Sequence, residues 1–281
     1  MSPKSLDVRE RALFATLFLL TLVAVLGPAV ATPGGVAVHF ADARSWGALP
    51  NAMDVMSNLP FAVMAVWGLY RLHRVDRAHE RSLRVQTGAW APLTEPPASA
   101  LDCAWLFFAG LLITAAGSAF YHLQPDALRL GADRAGMAVA FAGLMGFAVC
   151  ERVSQRAGWP VAWFVLAAGL MSVAVFHETG NVLPWAVLQF GGMVVVLVLS
   201  FARPVRGAIG LKLGWVILFY SLAKMFELAD EAVYEGTWHL ISGHSVKHLT
   251  AALAALPVLQ AIGNATRQVL RHNSARAAAA A

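Results

Sequence analysis

Eight stretches of the chain, near 12–31, 54–71, 101–121, 134–150, 159–177, 182–202, 213–232 and 246–264, are apolar for long enough to cross a bilayer. A spanning helix needs about 20 mostly apolar residues, because ~30 Å of hydrocarbon is covered at about 1.5 Å per residue. Membrane barrel strands alternate with period two, whereas these stretches are continuously apolar, so helices are expected. The connections are mostly short, which predicts one all-α polytopic membrane bundle with no separate soluble domain. Composition points the same way: 58% of the residues are hydrophobic and 13% charged, against roughly 25% charged in an ordinary soluble domain.

The first stretch has a second reading. Basic residues, an apolar run and Ala29-Val30-Ala31 resemble a cleaved signal peptide, but the run is long for a signal core of about 7–15 residues, so a retained helix is expected. Cys103 and Cys150 fall inside predicted spans and read as small apolar fillers rather than a disulfide framework.

The net charge of +5 is unevenly distributed. Sixteen Lys and Arg residues fall on one side of the predicted bundle, including the Arg71–Arg84 loop, Arg152 and Arg156, while Arg44, Arg129 and Arg134 fall on the other. The positive-inside rule then places both termini in the cytoplasm. The Arg71–Arg84 run and the proline-rich segment after it read as a solvated loop. With no aromatic interleaving, nucleic-acid binding is not expected. Trp46, Trp159, Trp185 and Trp238 read as interfacial belt residues. Gly191-Gly192 reads as close helix packing rather than a phosphate loop.

Ionisable side chains inside spans are costly unless paired, ligated or hydrated, so their distribution is informative. They gather toward the outer ends. Ser118 and His122 close the third span, Asp133 begins the fourth, and His244 and His248 open the eighth. Asp54, Ser57 and Asn58 open the second span, His177 and Glu178 close the fifth, and Glu227, Asp230 and Glu231 close the seventh. Residues four apart share a helical face, so His244 and His248 can aim two imidazoles at one point. A third histidine from another helix would complete the ligand set of a catalytic zinc with one position left for water; His122 is the foremost candidate and His239 an alternative. His39, His73, His79 and His272 read as solvated, and His177 beside Glu178 as an interfacial pair. Ser57 and Asn58 suit helix caps or interhelical hydrogen bonds.

Three ordered pieces, "DVMSNLPF" from Asp54, "GSAFYHLQPDALRLGADR" from Gly117 and "SGHSVKHL" from Ser242, resemble the alkaline ceramidase family. That family belongs to a wider superfamily of seven-helix membrane hydrolases that includes the adiponectin-receptor-like proteins. The resemblance covers about residues 38–264. It implies a seven-helix core over 36–265 preceded by an extra transmembrane helix within 1–35 and followed by a cytoplasmic tail, 266–281. It also implies zinc held by His122, His244 and His248, with Ser118 and Asp133 beside it. Animal members add a calcium site in an acidic segment before the core; here that region offers Asp42 and Asp54 but has Asn51 where an acid is expected, which counts against calcium.

The expected activity is zinc-dependent cleavage of the N-acyl bond of a ceramide-like lipid. Asp133 would act as general base and then acid, and Ser118 would donate a hydrogen bond to Asp133 or the developing oxyanion. Ser57, Glu227 and Asp230 are candidates for orienting a ligand's remaining N–H. Alternatives are a hydrolase of another acyl lipid, or a non-catalytic receptor or lipid-binding protein with a structural zinc. A transporter is disfavoured because no repeated pair of broken spans is evident. The expected partner is the lipid substrate, with no protein partner. The Ala-rich, Arg-over-Lys composition points to a bacterial inner membrane protein with the site toward the periplasm.

Overall fold

The computed structural model describes residues 5–31, 40–87 and 100–280, the side chains of 79–87 and 268–280 apart. The expectations for His39 and the proline-rich segment lie outside these residues, as do those for the side chains of His79 and His272.

Twelve helices make up the described chain: α1 (Val8–Leu26), α2 (Ala52–Met56), α3 (Leu59–Thr87), α4 (Ala100–Leu123), α5 (Ala127–Arg152), α6 (Gln155–Thr179), α7 (Leu183–Ala186), α8 (Gly192–Phe201), α9 (Leu213–Leu228), α10 (Asp230–Gly236), α11 (Gly243–Ala252) and α12 (Ala255–Ala280). A π-helical turn, Val187–Gly191, joins α7 to α8. Apart from isolated β-bridges, no strand occurs among the described residues. Six segments are long and apolar enough to cross a membrane: Ala52–Ala78, Ala100–Leu123, Ala127–Arg152, Gln155–Thr179, Leu183–Phe201 and Gly243–Arg267. They make this a multi-pass membrane protein. The other two expected spans coincide with α1, which begins with the charged Arg9, Glu10 and Arg11, and with α9, which stops at Leu228 before the chain turns into α10.

Polar caps set the boundaries of several helices. Asp126 accepts the Arg129 amide at 2.8 Å to start α5, Ser154 caps α6, and Ser242 caps α11. Each satisfies an N–H that the first helical turn leaves unpaired.

The α4–α5 pair is the spine of the bundle, and small residues decide its register. A Cβ at Gly110 would lie 2.1 Å from the Ala140 amide nitrogen, one at Gly143 would lie 2.2 Å from that of Phe107, and one at Gly117 would meet Ala132 and Asp133. Backbones touch along this antiparallel seam, as expected where van der Waals packing rather than water expulsion drives helix association. The register carries Ser118 of α4 to Asp133 of α5. Cys103 and Cys150 are free and fully buried in the same core. The two small glycines also act as expected, since a Cβ at Gly192 would strike Phe141 and one at Gly191 would strike Leu20.

Charges at the opposite end of the bundle from Ser118 and Asp133 are structural. The fully buried Glu151 carboxylate accepts the amides of Ile209, Gly210 and Leu211 at 2.6–2.9 Å, while Arg152 donates to the Leu211 carbonyl. Together they staple the 203–212 connection to α5. Glu10 ties down α1 by pairing with Arg156, Ser154 and the Asp7 amide. The Arg156 guanidinium is the main reason its carboxyl is held down to about 2 from an ordinary value of 4.5. A carboxyl whose pKa falls on folding stabilises the native state above its unfolded value and loses that contribution as pH drops through the folded one. The difference in thermal midpoint between wild type and Glu10→Gln is therefore expected to be constant above about pH 4.5 and to close between about pH 4.5 and 2; a difference that persists at pH 2 would show that the ion pair does not anchor α1.

Candidate metal centre

His122 lies in the last turn of α4, and His244 and His248 lie on one face of α11. All three are buried, and their ligand nitrogens lie within 4.8 Å of one another. The ring centroids are 4.8 Å (His122–His244), 5.1 Å (His122–His248) and 4.8 Å (His244–His248) apart. The start of α11 is placed by Gly243, where a Cβ would sit 2.3 Å from the Phe226 carbonyl oxygen and 2.7 Å from the Asp230 Cα. That close approach lets the His244 amide donate to Asp230 Oδ1 at 2.7 Å.

Hydrogen bonds assign the ring of His248. Ser57 Oγ donates to the Asp54 carbonyl at 2.8 Å, so its contact with His248 Nδ1 at 2.7 Å is an acceptance of the ring N–H. A neutral imidazole has one donor and one acceptor nitrogen, so Nε2 of His248 carries the free lone pair. Asp54 is fully buried and supports this corner further, its Oδ1 accepting from Ser245 at 2.7 Å. His122 and His244 bring their Nε2 atoms within 3.3 Å, and Nδ1 of His122 has no hydrogen-bond partner. Phe40 packs edge-on against both rings, at 4.9 and 4.7 Å, and Phe61 lies 6.0 Å from His248.

These residues fit a metal ion. Three ring nitrogens converge in a buried site, no carboxylate belongs to the cluster, and a bound divalent cation would satisfy the converging lone pairs together. Lys247 Nζ lies 3.2 Å from His244 Nε2 and 3.1 Å from Glu227 Oε1. A metal that takes the His244 lone pair leaves the ammonium its carboxylate partner.

The other anticipated residues separate by contact. Ser118 is buried, faces the half-buried Asp133 carboxyl and lines the same cavity as the three histidines. Ser57 reaches a histidine ring, whereas Asp230 accepts the backbone amides of His244 and Ala41 and so holds the helix start rather than an imidazole. Glu227 touches no histidine; Lys224 and Lys247 hold it. His239 pairs with Glu235 at the surface, just after the end of α10, and is not part of the cluster. His177 and Glu178 are exposed at the end of α6. Asp42 is taken by Arg44 at 2.8 and 2.7 Å; burial would raise its pKa, but the guanidinium overrides this and holds it below the ordinary carboxylate value. Trp185 corrects the belt expectation: it is buried and stacks on Arg134, since a guanidinium inside the bundle takes an aromatic face. Phe40, Lys247 and Arg134 were not anticipated at the site. Lys247 carried a signal in its position, on the helical turn between two histidines.

A cavity of about 550 Å³ opens from the histidines. Its walls are mainly apolar, including Leu111, Met137, Phe141, Leu144, Leu188 and Met193, while Ser118, Asp133, Arg134, Lys224, Glu227 and Lys247 supply polar groups. It therefore brings a potential metal site, a carboxyl group and a mainly apolar volume together. No family model and no curated protein matches the chain.

Proposed function

We propose that the protein is a zinc-dependent amide hydrolase of membrane lipids, related to the alkaline ceramidases, that cleaves ceramide-like N-acyl lipids to a fatty acid and an amine-bearing base. The observation that carries this reading is the shared cavity, in which three converging histidines and the Ser118–Asp133 pair meet at one end of an apolar volume. His122, His244 and His248 would hold the metal, which supplies a Lewis acid for the amide carbonyl and brings the pKa of water toward about 7.

The chain's own groups perform the remaining tasks. Ser57 fixes the His248 tautomer so that Nε2 faces the site. Asp133 takes the proton lost by the attacking water on a carboxylate oxygen and delivers it to the amide nitrogen as the C–N bond breaks. Ser118 keeps that carboxyl oriented. The apolar wall holds the acyl chain, and Phe40 shields two of the imidazoles from one side. The charge asymmetry supports an orientation with this end of the bundle at the outer, periplasmic face.

Purified protein incubated with a panel of ceramides and other N-acyl lipids tests the reading. Release of fatty acid that chelator stops and zinc restores is the expected result; no release from any lipid by zinc-loaded protein would replace it with a non-catalytic lipid receptor.

A further inference from the structure

We propose that Arg134 receives an anionic group at the polar end of a long-chain lipid, so that among ceramide-like N-acyl lipids the cavity favours those bearing a carboxylate or phosphate over the neutral ones. As a statement about the substrate, this rests on the hydrolase reading above. Arg134 follows Asp133 in α5 and lines the same cavity. Its guanidinium carbon lies 4.3 Å from the Phe176 ring centroid and 5.5 Å from that of Trp185. No salt bridge or hydrogen bond engages it among the described residues, and its Nη1 is buried without a partner. The Tyr121 hydroxyl on the same wall is likewise buried and unpartnered.

A guanidinium stays charged in any protein environment, and half-buried Arg134 keeps that charge with its Nη1 donors withdrawn from solvent and unbonded. Aromatic rings attract its cationic face but offer no acceptor to its N–H donors. Those donors match the two oxygens of a carboxylate or phosphate, a pairing that neutral headgroups cannot reproduce. The rest of the polar wall has the same sign. Lys224 and Lys247 share the one carboxylate of Glu227, so the cluster retains a positive charge. With Arg134, the cavity wall has three cationic side chains against the carboxyls of Asp133 and Glu227. Apolar walls for a chain and a guanidinium with unbonded donors among the polar groups are complementary to an anionic lipid.

The test measures binding to full-length, metal-stripped protein in neutral detergent, which removes any contribution of a carboxylate bound at the histidines. N-palmitoylglycine is compared with its neutral analogue N-palmitoylethanolamine, and dodecyl phosphate with dodecanol. Wild type is expected to bind each anionic probe at least about tenfold more tightly than its neutral partner, a difference of about 1.4 kcal/mol. Arg134→Gln should reduce that preference to within about twofold, and Arg134→Lys should retain part of it. Retained binding of the neutral probes by Arg134→Gln shows that the cavity is intact. Equal binding of charged and neutral probes by wild type, or an undiminished preference in Arg134→Gln, would overturn the proposal. Displacement of N-palmitoylglycine by inorganic phosphate would also overturn it, by assigning the site to a free oxyanion rather than a lipid. Because no hydrolysis is measured, failure here is a separate result from failure of the hydrolase reading.

Discussion

His248→Ala is expected to lose stoichiometric zinc and N-acyl hydrolysis together. His248 has the most completely specified ring of the three: its Nδ1–H is accepted by Ser57, and its Nε2 lone pair is left for a metal. Alanine removes one of three converging nitrogens, and the other two come from separate helices, α4 and α11. Ser57→Ala gives the graded comparison. It leaves all three imidazoles but frees the tautomer and rotation of one, so zinc affinity should fall by about 10–100-fold. Metal content by mass spectrometry and affinity by chelator competition check both variants. A His248→Ala protein that still holds one zinc per chain would remove His248 from the ligand set.

Asp133→Asn is expected to keep its zinc and lose hydrolysis by roughly 10²–10⁴-fold, the usual contribution of a positioned general acid–base group. The amide is nearly isosteric and can still face Ser118, so the α4–α5 seam should be preserved. It cannot accept the proton of the attacking water. The separation between the two variants is the informative result: loss of His248 removes metal and activity, whereas loss of the Asp133 carboxylate removes activity alone. An Asp133→Asn variant that hydrolyses its substrate within a few-fold of wild type would give the proton transfer to another group.

The candidate site was legible to the extent that its residues announce themselves along the chain. His244 and His248 share a face because four residues make about one helical turn, and the structure buries both of them together. His122 stood out as an imidazole at the end of an apolar run. Asp126, seven residues before Asp133, is the N-cap of α5 and pairs with Arg129. The partners of these groups were less legible. Asp230 and Glu227 looked equivalent to Ser57 as supports for an imidazole, yet one bonds backbone amides and the other two lysines. The direction of a carboxylate depends on where its helix breaks, and the break at Ala229 separates the two. Arg134 counted toward a loop charge balance, and Trp185 toward an interfacial belt; their stacking inside the bundle depends on how α7 is held by α6 and α1, a relation between distant segments.

Hydrophobic run length by itself determined that the chain is a helical membrane bundle, since hydrocarbon thickness sets a length that such runs either reach or do not. Helical periodicity by itself determined that two histidines share a face. The tertiary structure decided what those faces meet. Glycine contacts along α4 and α5 set the register that brings Ser118 to Asp133, Gly243 lets the start of α11 reach Asp230, and the packing of both α4 and α11 on α3 closes three imidazoles into one cluster. Periodicity acts within a helix and is visible in one segment at a time, whereas register arises from steric fit between two segments and exists only once both are folded.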